Sequence, residues 1–177
     1  MSDASRLPSD DTTFDKYTDD DWKHMLDYMW GRTIDELTIG RRVPEQLVVF
    51  VTRHGRPVTD TAEIGFMRAG SQSARLHAMS AVIKRTKAHA YAYIMESWYK
   101  VTTNEEYAKY KRGDLSRDPS RKEALIVVLV TKNGLKLSRM GEIIRLGGER
   151  DMGQASEVRV IDVPGMQASG AMFELMD

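Results

Sequence analysis

Two side chains stand out for the chemistry they could do, Glu96 and His54. Glu96 lies on an alternating stretch, Ala88 to Lys100, and shares its set with Ala90, Ala92, Ile94 and Trp98. A carboxylate on so apolar a set is partly desolvated, and an unpaired buried charge is very costly. Two roles follow. One is a general base, which would need a pocket; His54, in the turn His54-Gly55-Arg56-Pro57, could share it in a hydrolase-like site. The other is half of a structural ion pair, and Glu96–Arg121 is the pairing expected, with Lys122 as the alternative cation. His24, His77 and His89 read as surface or partly packed residues. None of the four histidines falls in an H-x-H, H-E-x-x-H or H-x-x-E-H spacing, so no metal site is expected.

Phosphate chemistry has little footing. Gly70-Ser71-Gln72-Ser73 precedes a helix, whose N-terminal amides favour anions, and Gly147-Gly148 is the other candidate. Neither matches the dinucleotide or P-loop pattern, and no G-x-S-x-G elbow is present. No cofactor is expected. The absence of cysteine rules out thiol nucleophiles, disulfides and cysteine-held metals.

A second function class comes from charge. Residues 84–122 hold ten Lys/Arg against five Asp/Glu. Within this stretch Tyr107 and Tyr110 are interleaved with Lys100, Lys109, Lys111, Arg112, Arg117, Arg121 and Lys122. Basic segments with aromatics between the charges can track phosphates and stack bases. A solvated loop has the same composition, and no nucleic-acid motif accompanies it.

These residues need elements to position them. The chain of 177 residues, 41% hydrophobic and 29% charged, suffices for one domain with a substantial core. Its net charge is zero, although residues 1–21 carry seven acids against two bases. No apolar run nears the roughly 18 residues of a membrane span, and the acidic N-terminus lacks the order of a signal peptide. A cytoplasmic location is expected, with no membrane association. Residues 1–17 read as an acidic tail, loosely attached or disordered; 18–165 as a single α+β domain; and 166–177 as a C-terminal tail with apolar beads at Met172, Phe173, Leu175 and Met176.

Within the domain, Thr18-Asp19-Asp20-Asp21 is a helix start, since the hydroxyl can cap and the acids favour the positive helix end. Trp22, Met25, Leu26, Met29 and Trp30 follow at helical spacing, and Gly40 is the stop. Leu47 to Thr52 and Val58 to Phe66 read as two strands around the His54 turn. Leu76, Met79, Val82 and Ile83 define a second helix, Gln72 to Lys87. The strand Ala88–Lys100 comes next, then a polar segment, Thr102 to Lys122. Ala124 to Thr131 pairs with Lys136 to Arg145 through an Asn133-Gly134 turn, and Glu157 to Val163 is last. The order is α-β-β-α-β-β-β-β: an α+β fold with an antiparallel-dominated mixed sheet of five or six strands and two main helices.

The second helix is expected on the Ala90/Ala92 face. His89, Tyr91, Tyr93, Met95 and Tyr99 then form a face left for self-association, because two helices are few for a sheet apolar on both sides. A homodimer follows as the expected assembly. The preferred reading is a non-catalytic intracellular protein acting through self-association or a protein partner; a nucleic-acid-associated protein and a hydrolase-like enzyme are the alternatives.

Glu96-Ser97-Trp98 and Pro119-Ser120-Arg121-Lys122-Glu123-Ala124-Leu125 together resemble a group of small uncharacterised proteins of bacterial and phage genomes. Those pair a strand ending in Glu-Ala-Trp with a Pro-Ser loop and an Arg-x-Glu-Ala-Leu or Arg-x-Glu-Val-Leu strand start; here Ser97 replaces the alanine of the first. The resemblance covers the middle third of the chain. It implies a topology, and a pairing of Arg121 with Glu96 or Glu123 as a feature of the fold, but no activity.

Overall fold

The computed structural model describes residues 13–40, 43–63, 72–101, 103–107, 109, 117–146, 157–163 and 173–176. Among the described residues two long helices, α1 (Asp19–Thr38) and α2 (Gln72–Thr86), and one short helical turn (Asn104–Tyr107) accompany six strands: β1 (Gln46–Arg53), β2 (Arg56–Glu63), β3 (Ala90–Tyr99), β4 (Lys122–Thr131), β5 (Lys136–Leu146) and β6 (Glu157–Asp162). The fold is α+β. The strands form one sheet in the order β2-β1-β3-β4-β5-β6. Every ladder is antiparallel.

α1 begins as its sequence dictates. The Thr18 hydroxyl accepts from the Asp21 amide while the Asp21 carboxylate accepts from the Thr18 amide, a reciprocal capping box. Gly40, with a φ of 79°, follows the helix end in the left-handed conformation that suits glycine. Between β1 and β2, His54 (φ 52°) and Gly55 (φ 76°) both take positive φ. That is the signature of a two-residue type I′ hairpin turn. The β4–β5 hairpin turns differently. The Thr131 amide donates to the Leu135 carbonyl and Gly134 has a φ of 87°, so three residues make the loop, with glycine in the left-handed position.

The two helices lie on opposite faces, and their placement corrects one expectation. Ala90, Ala92 and Ile94 of β3 pack with Trp22, Met25, Met29 and Trp30 of α1, together with Phe50, Leu125 and Val127. The alanine face therefore belongs to α1. α2 takes the other face, where Met79 and Ile83 cover Leu47, Val49, Tyr91, Tyr93 and Val128. Phe173 and Leu175, both buried, complete that second core. The division follows from β3 and β4 being apolar on both faces: each face needs its own helix.

The terminal segments are less loose than expected where they are described. Phe14 is 5% exposed and lies against Phe50 and Trp22, with a 3-10 turn from Phe14 to Lys16 around it. Residues 1–12 and 164–172 lie outside the described residues. Among the described residues no helix is long and apolar enough to cross a membrane.

Candidate functional site

The two short motifs that carry the resemblance meet on one face of the sheet. The β3–β4 register sets Glu96 beside Leu125 and Trp98 beside Glu123. Arg145, opposite Val158 near the end of β5, comes from the other side of β4. Its guanidinium holds Glu123 with two bonds, Nε to Oε2 and Nη2 to Oε1, both 2.8 Å. The same Nη2 donates to Glu96 Oε2 at 3.1 Å. The cation paired with Glu96 is therefore Arg145 and not the expected Arg121. Register is the reason: Arg121 lies ahead of β4, whereas Arg145 shares a face with Glu123 and Glu96.

Arg121 has another place. Asp118 folds the Asp118-Pro119-Ser120 loop by accepting from the Ser120 amide at 2.8 Å and from its hydroxyl at 2.6 Å. The Asp118 carbonyl accepts from Arg121 Nη1 at 3.1 Å, and the guanidinium lies 4.5 Å from the centre of the Trp98 ring. Trp98 remains 44% exposed.

Glu96 also accepts from the Val43 amide at 3.4 Å, which fastens the segment between α1 and β1 to the sheet. Burial raises the Glu96 carboxyl above its ordinary value; Arg145 opposes the rise and the neighbouring Glu123 adds to it. Desolvation thus outweighs the ion pair. The neighbouring Tyr99 is pushed up to about 12 by burial and by its bond to Glu142, while the Lys122 contact lowers Glu142.

Glu96 and His54 do not share a pocket. Gln46 pairs with Ile94, so Glu96 lies at the beginning of β1, and His54 follows its end. The strand between them, eight residues long, spans about 26 Å at roughly 3.3 Å per residue. His54 is an exposed turn residue.

The face expected to self-associate is covered within the chain. Tyr91 is 0% and Tyr93 6% exposed beneath α2, and Met95 is half-buried against the same core. Tyr99 is buried with Ala124 and Met140. His89 has Nδ1 2.9 Å from Asp15 Oδ1 and 3.0 Å from Lys132 Nζ, with Nε2 3.1 Å from Thr52 Oγ1. Acid, imidazole and hydroxyl stand in the order that activates a nucleophile. Lys132, however, shares both Asp15 and Nδ1. The contacts anchor the Phe14–Lys16 turn over the end of the sheet.

Of the basic residues expected on nucleic acid, Lys100 is paired with Asp118 and Lys122 with Glu142. Lys109 and Arg117 are exposed. Lys111, Arg112 and Tyr110 lie outside the described residues, as does the Tyr107 side chain.

An open cleft of about 540 Å³ lies on the α1 face, between the helix, which crosses toward β6, and the β1–β2 edge of the sheet. Val48, Phe50 and Ile94 form its floor. Met25, Met29 and Tyr28 line the α1 side, Thr59 and Thr61 the edge strand, and Arg32, Glu36 and Gln46 are its polar groups. Val43, whose amide Glu96 holds, closes one end. Comparison of the chain with family models, with curated proteins and with solved structures gives no match.

Sequence reading missed Arg145 and the cleft. The only local sign of Arg145 is a charge on the same strand face as Ile143, and the cleft depends on the path that α1 takes across the sheet.

Proposed function

We propose that this is a cytoplasmic, non-catalytic binding protein that engages a partner protein in the cleft between α1 and the β1–β2 hairpin. The observation that carries the reading is the composition of that cleft. A floor of Val48, Phe50 and Ile94 suits an apolar anchor side chain, and two methionines give walls that adapt to shape. Tyr28, 44% exposed, stands with Arg32 at its margin, and these are residue types that dominate binding energy at interfaces. The separation of His54 from Glu96 speaks against the hydrolase-like alternative. The pairing of Lys100 and Lys122 with acids lowers the charge open to a phosphate backbone. A second copy of this chain is one possible partner, and the cleft would then replace the Tyr91 face as the contact.

The test is site-specific photo-crosslinking in cells that make the protein naturally. A photoreactive residue at Thr61, on the cleft, is compared with one at Ser73, on the exposed side of α2. The expected result is a discrete protein adduct from Thr61 alone, lost in a Tyr28→Ala background. An adduct of twice 20.1 kDa identifies a second copy. No adduct specific to Thr61, or one removed by nuclease, overturns the reading.

A further inference from the structure

We infer, building on that partner-binding cleft, that the partner adds a strand to β2. The bound segment is extended and antiparallel to β2, with large apolar residues at i and i+2 and an acid at i+5. β2 is the terminal strand of the sheet, and Thr59, Thr61 and Ala62 along it are exposed. The direction of its backbone groups follows from its neighbours. The Phe50 carbonyl accepts from the His89 amide at 2.8 Å, so the even-numbered residues of β1 bond toward β3. Its odd-numbered residues then bond toward β2, where Arg53, Val51, Val49 and Leu47 stand opposite Arg56, Val58, Asp60 and Ala62. The two-residue turn demands the same, because its flanking residues, Arg53 and Arg56, form a bonded pair. The amides and carbonyls of Thr59 and Thr61 therefore point out from the sheet, and such a row is a template for another strand.

The added ladder has a fixed start. Pro57 points the same way as the threonines but has no amide to give, so the segment is bonded at Thr59 and Thr61. Its residues i and i+2 lie opposite Thr61 and Thr59. Directly opposite residues share a face of the sheet, and here that is the cleft face. Thr61 stands opposite Val48 and Thr59 opposite Phe50, and all four line the cleft. β1 lies two strand spacings, roughly 9.5 Å, from the added strand. The short threonine side chains let a leucine or phenylalanine at i and i+2 lean across them onto that apolar floor.

Charge selects the occupant. Position i+5 falls opposite Arg56, which is exposed, and an acid there makes a cross-strand pair of opposite charge. A second copy's β2 is the poorer fit. Two-fold pairing that uses both threonines sets Asp60 against Asp60, and like charges directly opposite destabilise. The occupant is therefore a segment of a different protein.

Octapeptides selected on the full chain from a random display library, with affinity read by fluorescence polarisation, test this. The selected peptides are expected to share the apolar pair at i and i+2 and the acid at i+5. Methylating the backbone amides of i and i+2 keeps every side chain and removes both donors to the Thr61 and Thr59 carbonyls. Binding is expected to weaken at least about tenfold. Methylating the i+1 amide, which faces away, should leave it unchanged. Thr59→Pro, which removes one outward amide, should also weaken binding, whereas Thr59→Ala keeps the amide and should bind as the parent does. Peptide methylation gives its answer even where the proline variant unfolds. Peptides that depend on Tyr28 in a Tyr28→Ala comparison but tolerate the double methylation overturn strand addition and leave the cleft reading standing. Peptides indifferent to both changes overturn strand addition, as does a library that yields no binder; the photo-adduct at Thr61 then decides the cleft reading alone. A dimer in light scattering that Thr59→Pro abolishes would seat a second β2 at this edge and overturn the choice of occupant.

Discussion

Trp30 of α1 reaches Gly141 of β5, and the indole fills the space that a side chain at 141 would need. A Cβ on Gly141 would stand 3.1 Å from the ring and 2.6 Å from Val160 Cγ1. Arg139, two residues earlier on the same strand face, lies 5.0 Å from the Trp30 ring centre. The glycine is thus where α1 approaches the β5–β6 half of the sheet.

Gly141→Ala is expected to destabilise by about 1–3 kcal/mol, the usual cost of forcing extra volume into a packed contact. Gly31, inside α1, has nothing within 4 Å of an added Cβ. Gly31→Ala should stabilise by about 0.5–1 kcal/mol, because alanine loses less backbone freedom in a helix. Urea unfolding of both variants checks the pair; equal effects would refute the contact.

Arg145 is expected to matter more than Arg121. Arg145→Gln leaves two carboxylates on adjacent strands without their shared cation. The loss should be about 1–3 kcal/mol. That is below the roughly 3–5 kcal/mol of a fully buried pair, because the three side chains keep 20–27% exposure. Adding Glu123→Gln should recover part of it, a coupling that a double-mutant cycle measures. Arg121→Gln removes a half-exposed contact with Trp98 and should cost no more than about 0.5–1 kcal/mol. The reverse ranking in thermal unfolding would restore Arg121 as the principal cation.

Glu96 sets a pH dependence of definite sign. Its carboxyl is raised above the ordinary 4.5, chiefly by burial. The folded chain therefore holds this proton more tightly than the unfolded chain. The contribution is fully present below the unfolded value and is lost as pH rises through the folded one. The stability of the parent minus that of Glu96→Gln should accordingly fall from acid toward neutral pH. A difference that grows over the same range would mean that Arg145, not desolvation, dominates.

The β1–β2 turn gives a simpler test. Gly55→Ala should destabilise by about 1–2 kcal/mol, since a Cβ disfavours the left-handed region. His54→Asn should gain a few tenths of a kcal/mol to about 1, asparagine being the better residue there. A loss on His54→Asn would show that the imidazole makes a contact that this turn geometry does not require.

Local structure was written in local residues. Thr18 and Asp21 fix the start of α1, the 3.6-residue spacing from Trp22 to Trp30 fixes its buried side, the continuous apolar runs fix β1 and β4, and the alternating stretch fixes β3. Those signals gave the α+β class and the element order, because each depends on neighbours a few residues apart. Glu96 was recognisable as a carboxylate in need of a partner for the same reason.

What only the tertiary structure decided was which distant pieces meet. Helix periodicity says that α1 has an apolar stripe but not which sheet face receives it, so the alanine face expected to receive α2 went to α1. The same limit hid Arg145: the register of β5 on β4, not any spacing in sequence, brings it between Glu96 and Glu123. His54 and Glu96 were separated by the strand that joins their neighbourhoods. The cleft beside α1 follows from the path that the helix takes across the sheet. A sequence specifies the apolar surface to be buried, but the area left open depends on all the elements packing together.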